Sequence, residues 1–138
     1  MDPRFKFHTT MRVRIGDINY GGHMSNDRYL LYFHDARIRF LESLGFSEAD
    51  IGEGAGMIML EAFVSYKAQV FLGDQLRIGV CLCDIGGVRF KIEYLVERCS
   101  DDKCVAKGYT KMAAFDYARR KVCKIPPAFI ERAQFEVT

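Results

Sequence analysis

Polar and apolar residues alternate near the start of the chain, where Arg12 and Arg14 interleave with Met11, Val13 and Ile15. A period of two predicts a strand over residues 10–16. The period changes after a turn, Asn19-Tyr20-Gly21-Gly22. Over residues 27–44, Leu30, Phe33, Phe40, Leu41 and Leu44 recur at helical spacing, joined by Tyr29, Leu31, Ala36 and Ile38. The charged residues of this stretch, Arg28, Asp35, Arg39 and Glu42, return at steps of seven, four and three and so form one narrow stripe. A helix with most of its circumference apolar is expected to be surrounded by other structure. Ser25 or Asn26 is placed to cap it, Asp27 suits the positive end of its dipole, and Gly45 is placed to end it.

Beyond residues 47–51 and a glycine-bearing link, the pattern predicts strands over residues 57–72, 75–84, 88–99 and 104–117. The intervening segments are short and turn-like, which suits antiparallel hairpins. Pro126-Pro127 opens a short terminal helix. The sum is an α+β domain over residues 1–138, with a long antiparallel sheet wrapped around one central helix. Such a sheet leaves a long edge strand unpaired, so the chain is expected to form a homodimer or homotetramer.

Composition narrows this picture by exclusion. Apolar residues make up 49% and charged residues 28% of the 138, the balance of an ordinary globular domain. A formal net charge of +2 gives no reason to expect a nucleic-acid partner. No apolar run approaches the ~20 residues needed to span a bilayer, and MDPRFKFHTT lacks the apolar core of a secretory signal. A soluble, cytoplasmic protein with no membrane partner is the expectation. The five cysteines form no Cys-x-x-Cys pair and lie apart from the three histidines, so no metal is expected and the thiols are read as free and structural.

The loop RIGDINYGGHMSNDRYL, set between first strand and helix, resembles that of the 4-hydroxybenzoyl-CoA thioesterase family of hotdog proteins. The family's usual loop runs Asp-x-Asp-x-x-Gly-His-Val-Asn-Asn-x-x-Tyr. Asp17, Gly22, His23, Asn26 and Tyr29 match it, Met24 is a conservative change, and Asn19 and Ser25 depart from it. Tyr66 with Phe71-Leu72-Gly73-Asp74 resembles the family's second strand and its turn, and Phe115-Asp116 with the basic hairpin resembles its last strands. The resemblance implies a hotdog fold, thioester hydrolysis and a site at a dimer interface. Asn19 stands where such thioesterases carry their nucleophilic or basic aspartate, and an amide cannot accept a proton at neutral pH. Other hotdog thioesterases use an asparagine and a histidine here. The R-specific enoyl-CoA hydratases use Asp-x-Asn-Pro-x-His, whereas this chain has one residue more between Asn19 and His23 and no proline.

Hydrolysis needs a base, donors for the oxyanion and a slot for the acyl group. The start of the helix offers amides and dipole, and Gly21-Gly22 leave room for a carbonyl to approach. Three residues are candidates for the base, Glu61, His23 and Asp17, the first two ahead of the third. Glu61 follows the apolar run of residues 56–60; a carboxylate in apolar surroundings holds its proton more tightly, which brings it nearer base strength at neutral pH. Imidazole is the side chain that changes charge near neutral pH, and His23 stands beside the helix start. Asn19 would polarise the carbonyl or orient water, and Asp17 either caps the loop or serves a hydratase. Gly22, Met24, Ser25 and Asn26 would line the substrate. The phosphates of coenzyme A need cations, from Arg89 and Lys91 or from Arg119 and Arg120. The leading expectation is hydrolysis of acyl-CoA, with no cofactor beyond the coenzyme A of the substrate itself. An enoyl-CoA hydratase and a non-catalytic acyl-CoA binder are the rivals.

Overall fold

The computed structural model describes residues 1–137, with side chains described through residue 134. Six strands form one antiparallel sheet: β1 (Phe7–Arg12), β2 (Gly56–Tyr66), β3 (Gln75–Cys83), β4 (Arg89–Arg98), β5 (Cys104–Asp116) and β6 (Lys121–Val122). Helix α1 spans Arg28–Ser43 and helix α2 spans Pro127–Val137. The order is β1-β3-β4-β5-β2, with β6 on β5. The hairpins β3-β4-β5 follow the chain. β2 does not: it lies beside β5 at the far edge, which corrects the simple meander that the turn spacing implies. No helix of the described residues is long and apolar enough to cross a membrane.

Alternation decides which face of the sheet takes α1. On β4, Phe90, Ile92, Tyr94 and Val96 are buried while Lys91, Glu93 and Leu95 between them are only half-buried. Leu76, Ile78, Val80 and Leu82 of β3 share that inner face, and Phe33, Ala36, Phe40 and Leu41 of α1 meet it with no exposed surface. The Phe33 and Tyr94 rings stack, with centroids 4.3 Å apart. The fold is a hotdog, and the sheet covers one side of its helix. The other side stays open: Leu30, Leu31 and Ile38 are exposed, against the expectation of a surrounded helix. A buried cation also went unread in the helical pattern. Arg37 is 4% exposed, donating through Nη1 to the Tyr94 hydroxyl at 2.9 Å and through Nε to Glu48 at 3.1 Å.

The ends of α1 differ in kind. Neither Ser25 nor Asn26 caps it: Asp27 is the N-cap without a side-chain bond to the helix, and the Ser25 hydroxyl donates to the Asp27 carboxylate at 2.6 Å. At the other end Gly45 has φ +81°, its amide bonds to the Glu42 carbonyl, and the Phe46 amide reaches back to Leu41. That pair of bonds is the Schellman ending, for which a residue without Cβ is favoured.

β2 carries a bulge. Its register against β5 slips between Met59 and Glu61, leaving Leu60 as the extra residue. Met57 and Met59 before the bulge face inward with Ala62, Val64 and Tyr66 after it, each opposite an inward residue of β5. Glu61, Phe63 and Ser65 therefore face outward, opposite Lys111, Tyr109 and Lys107.

Candidate active site at the start of the long helix

Residues 15–27 descend from β1 into α1 through a short 3-10 turn, Ile15–Asp17, and a tight turn at Asn19–Gly22. Asp17 anchors both. It is 6% exposed and accepts from the Arg14 amide at 3.1 Å and from the Tyr32 hydroxyl at 2.5 Å, while its carbonyl takes the Ser25 amide at 2.8 Å. Burial and the Asp17 carboxylate push the Tyr32 phenol well above its ordinary value, so it stays a donor. Met24, 2% exposed, fixes the loop to the far side through its amide, which bonds to the Val70 carbonyl at 2.7 Å.

Between these anchors the turn closes on itself. The Gly22 amide donates to the Asn19 carbonyl at 3.1 Å, the Asn19 amide to the His23 carbonyl at 2.9 Å, and the Gly21 amide to Asn19 Oδ1 at 2.9 Å. Gly22 takes φ +84°, the left-handed geometry such a turn requires. Gly21 matters for space instead. A Cβ there would stand 3.3 Å from Asn19 Oδ1 and 3.4 Å from His23 Nε2, so the two side chains converge over it. His23 Nδ1 lies 3.2 Å from the Met24 carbonyl oxygen. A carbonyl only accepts, so Nδ1 carries the proton and Nε2 is left as the acceptor.

Not every amide near the helix start is free to serve an oxyanion. Met24 and Ser25 have given their amides to Val70 and Asp17. Among the described residues, nothing takes the amide of Asn26, at the positive end of α1, while the Asp27 amide meets the Asp27 carboxylate. The Tyr66 hydroxyl donates to the Asn26 carbonyl at 3.1 Å, holding this point against the end of β2, and the Tyr66 ring meets Tyr29 edge-on. Apolar surface rings the same end: Tyr20 is fully exposed, Leu30 and Leu31 are exposed on the first turn of α1, and Phe71-Leu72 follow Val70.

Glu61 is elsewhere. It lies on the outer face, half exposed, 3.3 Å from the Lys111 ammonium and 3.1 Å from the Tyr109 hydroxyl. The expected apolar surroundings are absent because the bulge at Leu60 turns the strand before Glu61 is reached. The expected phosphate cations are also distant within the chain. Arg89 stands opposite Ala113 and Tyr66 opposite Ala106, so about 23 Å of strand separates Arg89 from the loop. Arg119 and Arg120 lie farther on, in the β5–β6 turn, with Arg119 3.8 Å from Asp116. Lys91 is paired with Asp84 at 3.0 Å. Among the described residues, no three His, Cys, Asp or Glu side chains are grouped to hold a metal ion.

The family model described as the thioesterase-like superfamily matches residues 13–133. A protein of Aquifex aeolicus, 27% identical, superposes with a TM-score of 0.83 over 92% of this chain and 98% of that one. A 1,4-dihydroxy-2-naphthoyl-CoA thioesterase from Synechocystis superposes at 0.84 with 19% identity, covering 93% and 95% of the two chains. A protein from Staphylococcus aureus in complex with CoA gives 0.85 with 20% identity, over 95% of this chain and 83% of that one.

Proposed function

The chain belongs to the thioesterase-like superfamily, and on that premise we propose that it hydrolyses acyl-CoA thioesters by attack of water, with His23 as the base. The observation that carries this reading is the convergence of His23 Nε2 and the Asn19 side chain over Gly21, in a loop that leads to the untaken amide of Asn26. His23 Nε2 takes a proton from water. The Asn19 amide orients that water or the thioester carbonyl without ionising. The Asn26 amide receives the charge that develops on the carbonyl oxygen. The acyl group rests against Leu30, Leu31, Tyr20 and Phe71. Two solved neighbours, one named as a CoA thioesterase and one in complex with CoA, support the thiol half of the substrate.

Glu61 is a poorer base on this geometry, since it faces away from α1 and is held by Lys111. The hydratase reading needs Asp17 to face the substrate, and Asp17 is buried and occupied by Tyr32. Pairing of two β2 edges supplies what one chain lacks. Antiparallel pairing sets the end of one β2 beside the start of its partner, which brings the cation-bearing end of the partner sheet toward the loop. Arg89, Arg119 and Arg120 then serve coenzyme A across the dimer.

The test is a panel of acyl-CoAs with a free-thiol reagent. Thiol release that is lost in His23→Ala supports hydrolysis. Loss of enoyl absorbance without thiol supports hydration, and saturable binding with neither marks a binder; either of those outcomes rejects the proposal.

A further inference from the structure

The outer face of the sheet, opposite α1, carries a groove of about 460 Å³, within the range of small-molecule sites. Strand register arranges its floor in rows. Phe63, Tyr109 and Glu93 stand in one row across β2, β5 and β4, and Ser65, Lys107 and Leu95 in the next, about 7 Å along the strands. Lys67 follows at the end of β2. The Phe63 and Tyr109 rings lie 5.3 Å apart at 24°, and Phe63 is 48% exposed. The two rings stack on each other, and the Lys91 and Lys111 ammonium groups lie 4.9 and 5.9 Å from the Tyr109 centroid, so the open aromatic face of the groove is that of Phe63.

The opposite wall is the segment before β1. Phe5 is buried against Gly79, where an added Cβ would stand 2.8 Å from the Phe5 Cβ, and Arg4 reaches Glu93 at 3.3 Å. This wall presents the Asp2 carboxylate and the floor that of Glu93, with Arg4 3.4 and 3.3 Å from them. The cations differ in whether they are engaged. Arg4, Lys91 and Lys111 are each paired with a carboxylate. Lys67 and Lys107 are exposed and have no ion-pair partner among the described residues.

We propose that this groove binds a nucleoside phosphate, the base stacked on Phe63, which Tyr109 backs, and the phosphate held by Lys107 and Lys67. One row of spacing separates platform from ammonium, the order of distance between a base and its 5′-phosphate. Ammonium groups without carboxylate partners favour a dianion, while Asp2 and Glu93 accept from sugar hydroxyls. The site is distinct from the His23 loop, which lies on the inner side of the sheet, and does not rest on the thioester reading. The same chemistry is offered by a free nucleotide and by the adenosine end of coenzyme A.

The probe is the fluorescent N-methylanthraniloyl derivative of AMP, read without tryptophan background because the chain has none. Saturable binding displaced by unlabelled AMP is expected. Phe63→Ala, and separately the pair Lys67→Ala with Lys107→Ala, should each weaken it about tenfold or more, with unchanged circular dichroism because all three side chains are exposed. Displacement by coenzyme A, weakened by the same substitutions, identifies the cofactor's nucleotide as a second source and supports the site. No saturable binding up to millimolar AMP overturns the proposal. So does displacement by coenzyme A that the substitutions leave untouched, since the probe would then sit elsewhere. A sedimentation shift on Phe63→Ala with no nucleotide bound would assign the groove to a second copy and also reject it.

Discussion

His23 and Asn19 meet above a residue with no side chain, so a thioester carbonyl can approach both from one direction. His23→Ala should lower kcat by about 10²–10⁴-fold, the usual contribution of a general base, with KM little changed. Glu61→Gln should leave turnover within about threefold, because it removes only a surface ion pair. Steady-state thiol release measures both, and the reverse ranking would return the role of base to Glu61. Asn19, Gly22 and His23 could be picked out from the chain because they are neighbours in it and the loop resembles a known one. The environment of Glu61 could not, since it depends on Lys111 and Tyr109 from a strand some fifty residues later and on a one-residue slip at Leu60. The thiols bear on the same assay. Burial, together with the neighbouring Glu93, pushes Cys83 up to about 12, leaving almost no thiolate at neutral or mildly alkaline pH. Mass spectrometry after brief treatment with a thiol reagent at pH 8 should find Cys83 unmodified; rapid labelling would show that β3 opens.

Helix α1 shows how far periodicity carries and where it stops. Its buried residues Phe33, Ala36, Phe40 and Leu41 stand at the spacing that predicts one inward face. Phe40→Ala should cost about 3–5 kcal/mol, lowering the thermal midpoint by on the order of 10 °C, as differential scanning calorimetry would record. An unchanged midpoint would mean the helix does not pack as described. Leu30, Leu31 and Ile38 looked equally apolar and are exposed, because only the fold decides which side of the helix the sheet covers. Arg37 was hidden for the opposite reason. A charged residue reads as surface until Glu48 and Tyr94, far apart in the chain, are seen to satisfy it. The N-terminal caps failed at the same level: Ser25 bonds a neighbouring carboxylate in preference to the backbone, a choice composition does not disclose.

At the scale of the molecule, β2 is the long edge and the loop sits at one end of it. Equilibrium sedimentation at micromolar concentration should find a dimer or larger, and a stable monomer would remove the shared site. Shared sites also complement. If cations of one subunit serve the loop of the other, mixing His23→Ala protein with an Arg119→Glu/Arg120→Glu variant should restore thiol release above either alone, after exchange of subunits. No recovery would place the phosphate site within one chain or elsewhere. The placement of β2 beside β5 was beyond sequence reading, since turn lengths suggest neighbours and say nothing of a strand that crosses to the far side. Edge pairing runs through backbone groups, which every polypeptide possesses, and so by itself it recognises no one. The bulge at Leu60 changes that. A straight strand from an unrelated or misfolded chain finds its donors and acceptors in step on one side of Leu60 and out of step on the other. A second copy, turned about a two-fold axis, brings the same offset to the meeting. If two copies pair through β2, an irregularity one residue long thereby acts as a password, admitting kin and turning strangers away.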